Sequence, residues 1–96
     1  MVMTILEAHV VPDRSEDLAH IYREGTSVIP PGIVETFLVR DSRDTTLYRI
    51  VTVWDSLEAL EKMRATGVKP KGVQIFEAVG ATPILTILDI VVHQRG

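Results

Sequence analysis

Five side chains in or beside apolar runs could do chemistry: His9, Tyr22, Glu35, Arg49 and Trp54. His9 sits in the extended run Val2 to Val11, and imidazole is the side-chain type best suited to proton transfer at neutral pH, which makes it a candidate general acid or base. Glu35 interrupts IVETFLV and is the second candidate base, because a carboxylate among apolar neighbours must find a partner or shift its pKa. Glu7, Arg49 and Asp89 share that situation, and ion pairs across strands or between subunits are the alternative reading for all four. Tyr22 projects from a helical stripe, where its phenol either donates to a ligand or ends a stretch of core packing at the rim. Trp54 is the only tryptophan and stands where VTVW gives way to DSLEAL. It is either the wall of a pocket or a packing wedge at a strand-to-helix corner. His9 and Glu35 are thus the candidate catalytic residues, and Tyr22, Arg49 and Trp54 the candidate substrate-binding residues.

Other chemistries have little to rest on. The chain has no cysteine, which removes disulfides, thiolate nucleophiles and zinc-thiolate sites together. His20 lies on a helix flank, while His9 and His93 belong toward opposite ends of neighbouring strands. Metal ligands must meet within about 2 Å of one ion, so no metal site is expected. There is no GxGxxG, P-loop, GxSxG or HExxH, and no cofactor is expected. A net charge of -3 and the lack of a basic cluster beside an aromatic platform argue against nucleic acid. MVMTILEAHVV reaches Glu7 and His9 too early for a secretory signal. PILTILDIVVH is too short for a bilayer and carries Asp89, so a cytoplasmic protein with no membrane partner is expected.

These side chains need elements to hold them. Val2 to Val11 is β-branched and extended, with Met3, Ile5, Glu7, His9 and Val11 on one face, and Pro12 stops it. Asp13 with Glu16 reads as a helix cap, and Leu18, Ile21, Tyr22 and Gly25 follow at helical spacing until GTSVIPPG breaks the helix. Ile33 to Val39 and Thr46 to Trp54 are two strands joined through DSRD as an antiparallel hairpin. A tip at Ser42 and Arg43 pairs Phe37 with Tyr48, which puts Glu35, Phe37, Tyr48 and Ile50 on the face of Trp54. Thr36, Leu38, Arg49 and Val51 then take the other face. Asp55 with Glu58 reads as the second cap, with Leu57, Leu60 and Met63 as a buried stripe before Gly67. A short helical piece in PKGVQIFEAVG and a last strand from Ile84 to Val92 complete the chain.

This order predicts one α+β domain over residues 1–96, a ferredoxin-like βαββαβ fold with a four-stranded antiparallel sheet and helices on one face. A chain of 96 residues, 46% of them hydrophobic, has more apolar surface than a small monomer can hide. The bare sheet face is therefore expected to meet its copy in a homodimer.

Four segments in this order, VVPDRSEDL, PPGIVETFLVRD, VTVWDSLEAL and PILTILDIV, make the chain resemble the antibiotic biosynthesis monooxygenase-like family of dimeric α/β barrels. The resemblance covers nearly the whole chain. It implies a cofactor-independent monooxygenase acting on a small aromatic or quinol-type substrate between sheet and helices. A non-catalytic small-molecule binding or interaction module of the same fold is the alternative, and a haem-binding or haem-degrading protein is the third reading. A haem-degrading branch of the family uses an asparagine in the first strand and a tryptophan and a histidine in the second helix. This chain contains no asparagine, and SLEALEKMR has neither Trp nor His. Trp54 matches the more widespread tryptophan that ends the third strand.

Overall fold

The computed structural model describes all 96 residues. The strands are β1 (Val2–His9), β2 (Ile33–Arg40), β3 (Leu47–Trp54) and β4 (Ile84–Asp89); the helices are α1 (Ser15–Gly25), α2 (Leu57–Ala65) and α3 (Lys71–Ala78). All strand pairs are antiparallel and the spatial order is β2-β3-β1-β4. This is the ferredoxin-like plan, extended by α3 between α2 and the last strand.

Alternation along β1 sorts the sheet into two faces. Val2, Thr4, Leu6 and Ala8 are buried toward the helices, while Met3, Ile5 and Glu7 face away and remain partly exposed. The main core joins Leu6, Ala8, Val10, Tyr48 and Ile50 of the sheet to Leu18 of α1 and to Ile75, Phe76 and Val79 of α3. Leu18 and Phe76 are completely buried, so α1 is anchored by Leu18 and α3 by Phe76 with Ile75 beside it. Two glycines allow the close approach of α3. A Cβ on Gly25 would lie 3.3 Å from the Ile75 Cδ1, and one on Gly72 would lie 2.6 Å from the Leu6 Cδ1, so a larger residue at either position would displace those core methyls.

Both helix caps differ from the sequence expectation. Pro12 opens a single 3-10 turn, Pro12–Arg14, whose carbonyl accepts from the Ser15 hydroxyl, and Asp13 caps nothing. Arg14 ties this turn down by donating to Asp17 and to the Ala78 carbonyl at the end of α3. At α2 the cap is Ser56, which accepts from the Ala59 amide at 3.0 Å; Asp55, one residue earlier, is exposed. The stripe of α2 moves with it: Leu60 is buried and Met63 packs beside it, whereas Leu57 faces solvent. Gly67, at φ 72°, ends the helix as the spacing predicts.

The hairpin corrects the sequence reading most. Phe37 pairs with Val51 and Leu38 with Ile50, three residues away from the register built on a Ser42 and Arg43 tip. An odd shift exchanges faces, so Thr36 and Leu38 join Trp54 on the helix side, while Glu35 and Phe37 lie on the bare side with Arg49 and Val51. The cause is a longer tip, Asp41 to Thr46, built by aspartate side chains. The Asp41 carboxylate accepts from the amides of Arg43 and Asp44, and Asp44 accepts from the amide and hydroxyl of Thr46. Further back, the pairing shifts by one between Ile33 and Glu35, which keeps Ile33 packed against the Trp54 cluster.

These bonds favour the ionised carboxylates. Asp41 is held below the ordinary carboxylate value of 3.8, first by the Asp44 amide and then by that of Arg43. Asp44 is lowered first by the Thr46 hydroxyl and then by the Thr46 amide. A depressed folded-state pKa stabilises the tip above the unfolded value, and the contribution is lost as pH falls through the folded one. Protection of the tip amides, taken relative to their intrinsic exchange rates, should therefore fall below about pH 4, the ordinary carboxylate value. Asp41→Asn should remove most of that pH dependence, and an unchanged acid response in the variant would place its origin elsewhere.

Candidate functional site

Between the helix side of the sheet and the inner edges of α1, α2 and α3 lies a cleft of about 1050 Å³. It exists because α1 and α3 pack tightly on one half of the sheet, while α2 reaches it mainly through Leu60 against Trp54 and Val2. The loop before β2 makes a further wall, with Ile29, Pro30 and Pro31 facing the space and Gly32 turning at φ 95°. The Gly32 carbonyl accepts from the Asp55 amide, which ties this wall to the corner after β3.

The cleft floor carries a row of hydroxyls. Thr36, Thr52 and Thr4 are direct cross-strand partners on β2, β3 and β1, and all three line the space among Leu6, Ile50 and Trp54. Tyr22 reaches in from α1 and donates to Thr36 at 3.1 Å, and the Thr36 and Thr52 hydroxyls share a hydrogen bond of 3.2 Å. At the other end, the Trp54 indole N–H donates to Thr4 at 3.1 Å. No charged residue lies on this floor. The charged residues that line the cleft, among them Asp55, Glu58, Lys62 and Lys71, are all exposed and stand at its mouth.

The five candidate residues are divided between the two faces. Tyr22 and Trp54 both line the cleft. Glu35 is exposed on the bare face and forms no ion pair. Arg49 is on that same face, joined to its cross-strand partner Glu7 at 2.6 Å. His9 also points away from the helices; its side chain is 68% exposed and its Nδ1 lies 3.0 Å from the Thr46 hydroxyl and 3.8 Å from Asp44. The geometry thus does not bring His9, Glu35 or Arg49 to Tyr22 and Trp54 within one chain. Sequence reasoning missed the three threonines. Their signal was present, one threonine in each of β1, β2 and β3, but the shifted hairpin register placed Thr36 on the wrong face.

A family model described as antibiotic biosynthesis monooxygenase matches residues 1–68. The chain belongs to that family. The matched span runs through β1, α1, the hairpin and α2, and so includes Tyr22, the three threonines and Trp54. Solved structures share the fold over the full length. A candidate antibiotic biosynthesis monooxygenase from Deinococcus radiodurans is 16% identical, with all of both chains covered and a TM-score of 0.74. One from Chloroflexus aurantiacus is 21% identical, covering 99% of this chain and 98% of that one, at a TM-score of 0.65. A mutant of MhuD with two manganese protoporphyrin IX molecules bound per active site is 20% identical, with full coverage of both and a TM-score of 0.76. No curated protein matches the chain.

Trp54 is only 6% exposed and packs with Val2 and Leu60, so it is a corner wedge whose polar edge serves the cleft floor. Trp54→Phe removes both the donor to Thr4 and part of the packed volume. Urea denaturation followed by circular dichroism should show a loss of roughly 1 to 3 kcal/mol. An unchanged midpoint would mean that the indole packs too loosely to hold the corner.

Proposed function

We propose that the chain is a cofactor-independent monooxygenase of a small aromatic or quinol-type substrate, held in the cleft between sheet and helices of each subunit of a homodimer. The observation that carries this reading is an apolar cleft of ligand size whose floor offers hydroxyls and no charge. An electron-rich phenolate can itself pass an electron to oxygen. The protein then has to orient the ring, exclude water and favour the ionised oxygen. Tyr22 and the threonine row are placed for this work in the same chain. His9 and Glu35, on the opposite face, are not, and they would act on this cleft only from outside it.

The absence of a carboxylate or imidazole on the floor also supports a second reading, a non-catalytic module that binds the same class of molecule. Haem would find no histidine ligand in the cleft, since none of the three histidines lines it, and the helix α2 offers no histidine or tryptophan. Oxygen uptake with a panel of hydroquinones, against anaerobic controls, separates the two main readings. Uptake above the buffer rate that falls in Tyr22→Phe supports the oxygenase. Saturable binding with no uptake across the panel selects the binding module instead.

The homodimer reading rests on the bare face, where Phe37, Val39, Ile84 and Leu88 are each at least 40% exposed beside Met3 and Ile5. Sedimentation at micromolar concentration should give about twice the 10.7 kDa chain mass. A clean monomer across that range would remove the barrel.

A further inference from the structure

The hydroxyls of the cleft floor hold more hydrogens than the bonds among them use. Tyr22, Thr36 and Thr52 own one hydroxyl hydrogen each, and two hydrogen bonds join the three groups. Each bond consumes one hydrogen, so one remains without an acceptor whichever way the second bond runs. The free one is on Thr52 when Thr36 passes its hydrogen on, and on Thr36 when Thr52 is the donor; a ligand oxygen set over Thr4 and Thr52 draws the first arrangement. Thr4 is simpler. It accepts from the Trp54 indole and donates to nothing, although it is only 8% exposed. Thr4 and Thr52 are direct partners on adjacent strands, so their β-carbons stand about 5 Å apart on the same face.

We infer that Thr4 and Thr52 form a two-donor cradle for one oxygen atom of the ligand, with Trp54 and Tyr22 as the positioning residues that fill the threonines' acceptor side. This deepens the proposed function and rests on the cleft being the binding site. Because the cradle presents hydrogens, it selects an acceptor: a quinone-type carbonyl or, more strongly, a phenolate oxygen. A neutral phenol hydroxyl gains less, since its own hydrogen finds no acceptor directed at it. The cradle also accounts for how a floor without a base can use a phenolic substrate. By binding the anion better than the phenol, it lowers the substrate's own pKa, and the proton leaves to water at the mouth.

The test compares 1,4-naphthoquinone with naphthalene, two rings of similar shape that differ in carbonyl oxygens. Wild-type protein, Thr4→Val and Thr52→Val are each titrated calorimetrically, since valine keeps the branched shape and suits a strand. Naphthoquinone is expected to bind wild type at least tenfold tighter than naphthalene. Each valine variant should lose about fivefold for naphthoquinone, the scale of one neutral hydrogen bond, with naphthalene affinity unchanged. The infrared carbonyl stretch of bound naphthoquinone should shift to lower frequency in wild type and shift back in the double variant. Equal affinity for the two probes, or equal losses for both in the variants, overturns the cradle while leaving the cleft as the binding site. Failure of both probes to bind wild type overturns the cleft reading along with it.

Discussion

The pairing register of β1, β3 and β2 is the constraint on which the rest of the molecule depends. Because side chains alternate across a sheet, one residue of slip anywhere along β3 would send Thr52 and Trp54 to the bare face and bring Arg49 under the helices. Burying that guanidinium without Glu7 would cost far more than any single apolar contact returns. The Glu7 and Arg49 pair on one side and the Leu6, Ile50 and Tyr48 core on the other therefore enforce the same alignment. The threonine row is a product of that alignment and has no separate means of forming.

Much of this architecture could be read from the chain. Period-two runs ending at Pro12, the paired prolines and Gly67 gave the strands, the first two helices and the order of elements, because each of those signals is local. The caps were misread for a local reason as well: Asp55 and adjacent Ser56 compete for the cap of α2, while Pro12 opens a 3-10 turn ahead of α1, which no side chain caps. The hairpin register was not legible. It depends on how Asp41 and Asp44 fold six residues into a tip, and four candidate donors and acceptors in DSRD allow several tips of different length.

The candidate site divides along the same line. Tyr22 could be placed from helical spacing and Trp54 from its position at the strand end, and both reach the cleft. His9, Glu35 and Arg49 attracted notice as ionisable groups in apolar strands, but each strand has a side with no helix over it. There such residues meet solvent or each other at little cost. A hydroxyl is a weaker signal in a sequence than a charge, yet on the covered side it is the polar group that can be buried cheaply when its partners are in line.

β4 completes the sheet without completing a core: none of its six residues is buried on either side, although four are isoleucine or leucine. A strand in that condition contributes hydrogen bonds to β1 and almost no burial of its own. If its missing contacts come from a second copy, the final step of folding is bimolecular, and the thermal midpoint rises with the logarithm of protein concentration. β4 would then be native in proportion to how often one chain meets another, so that abundance in the cell sets the fraction of finished molecules.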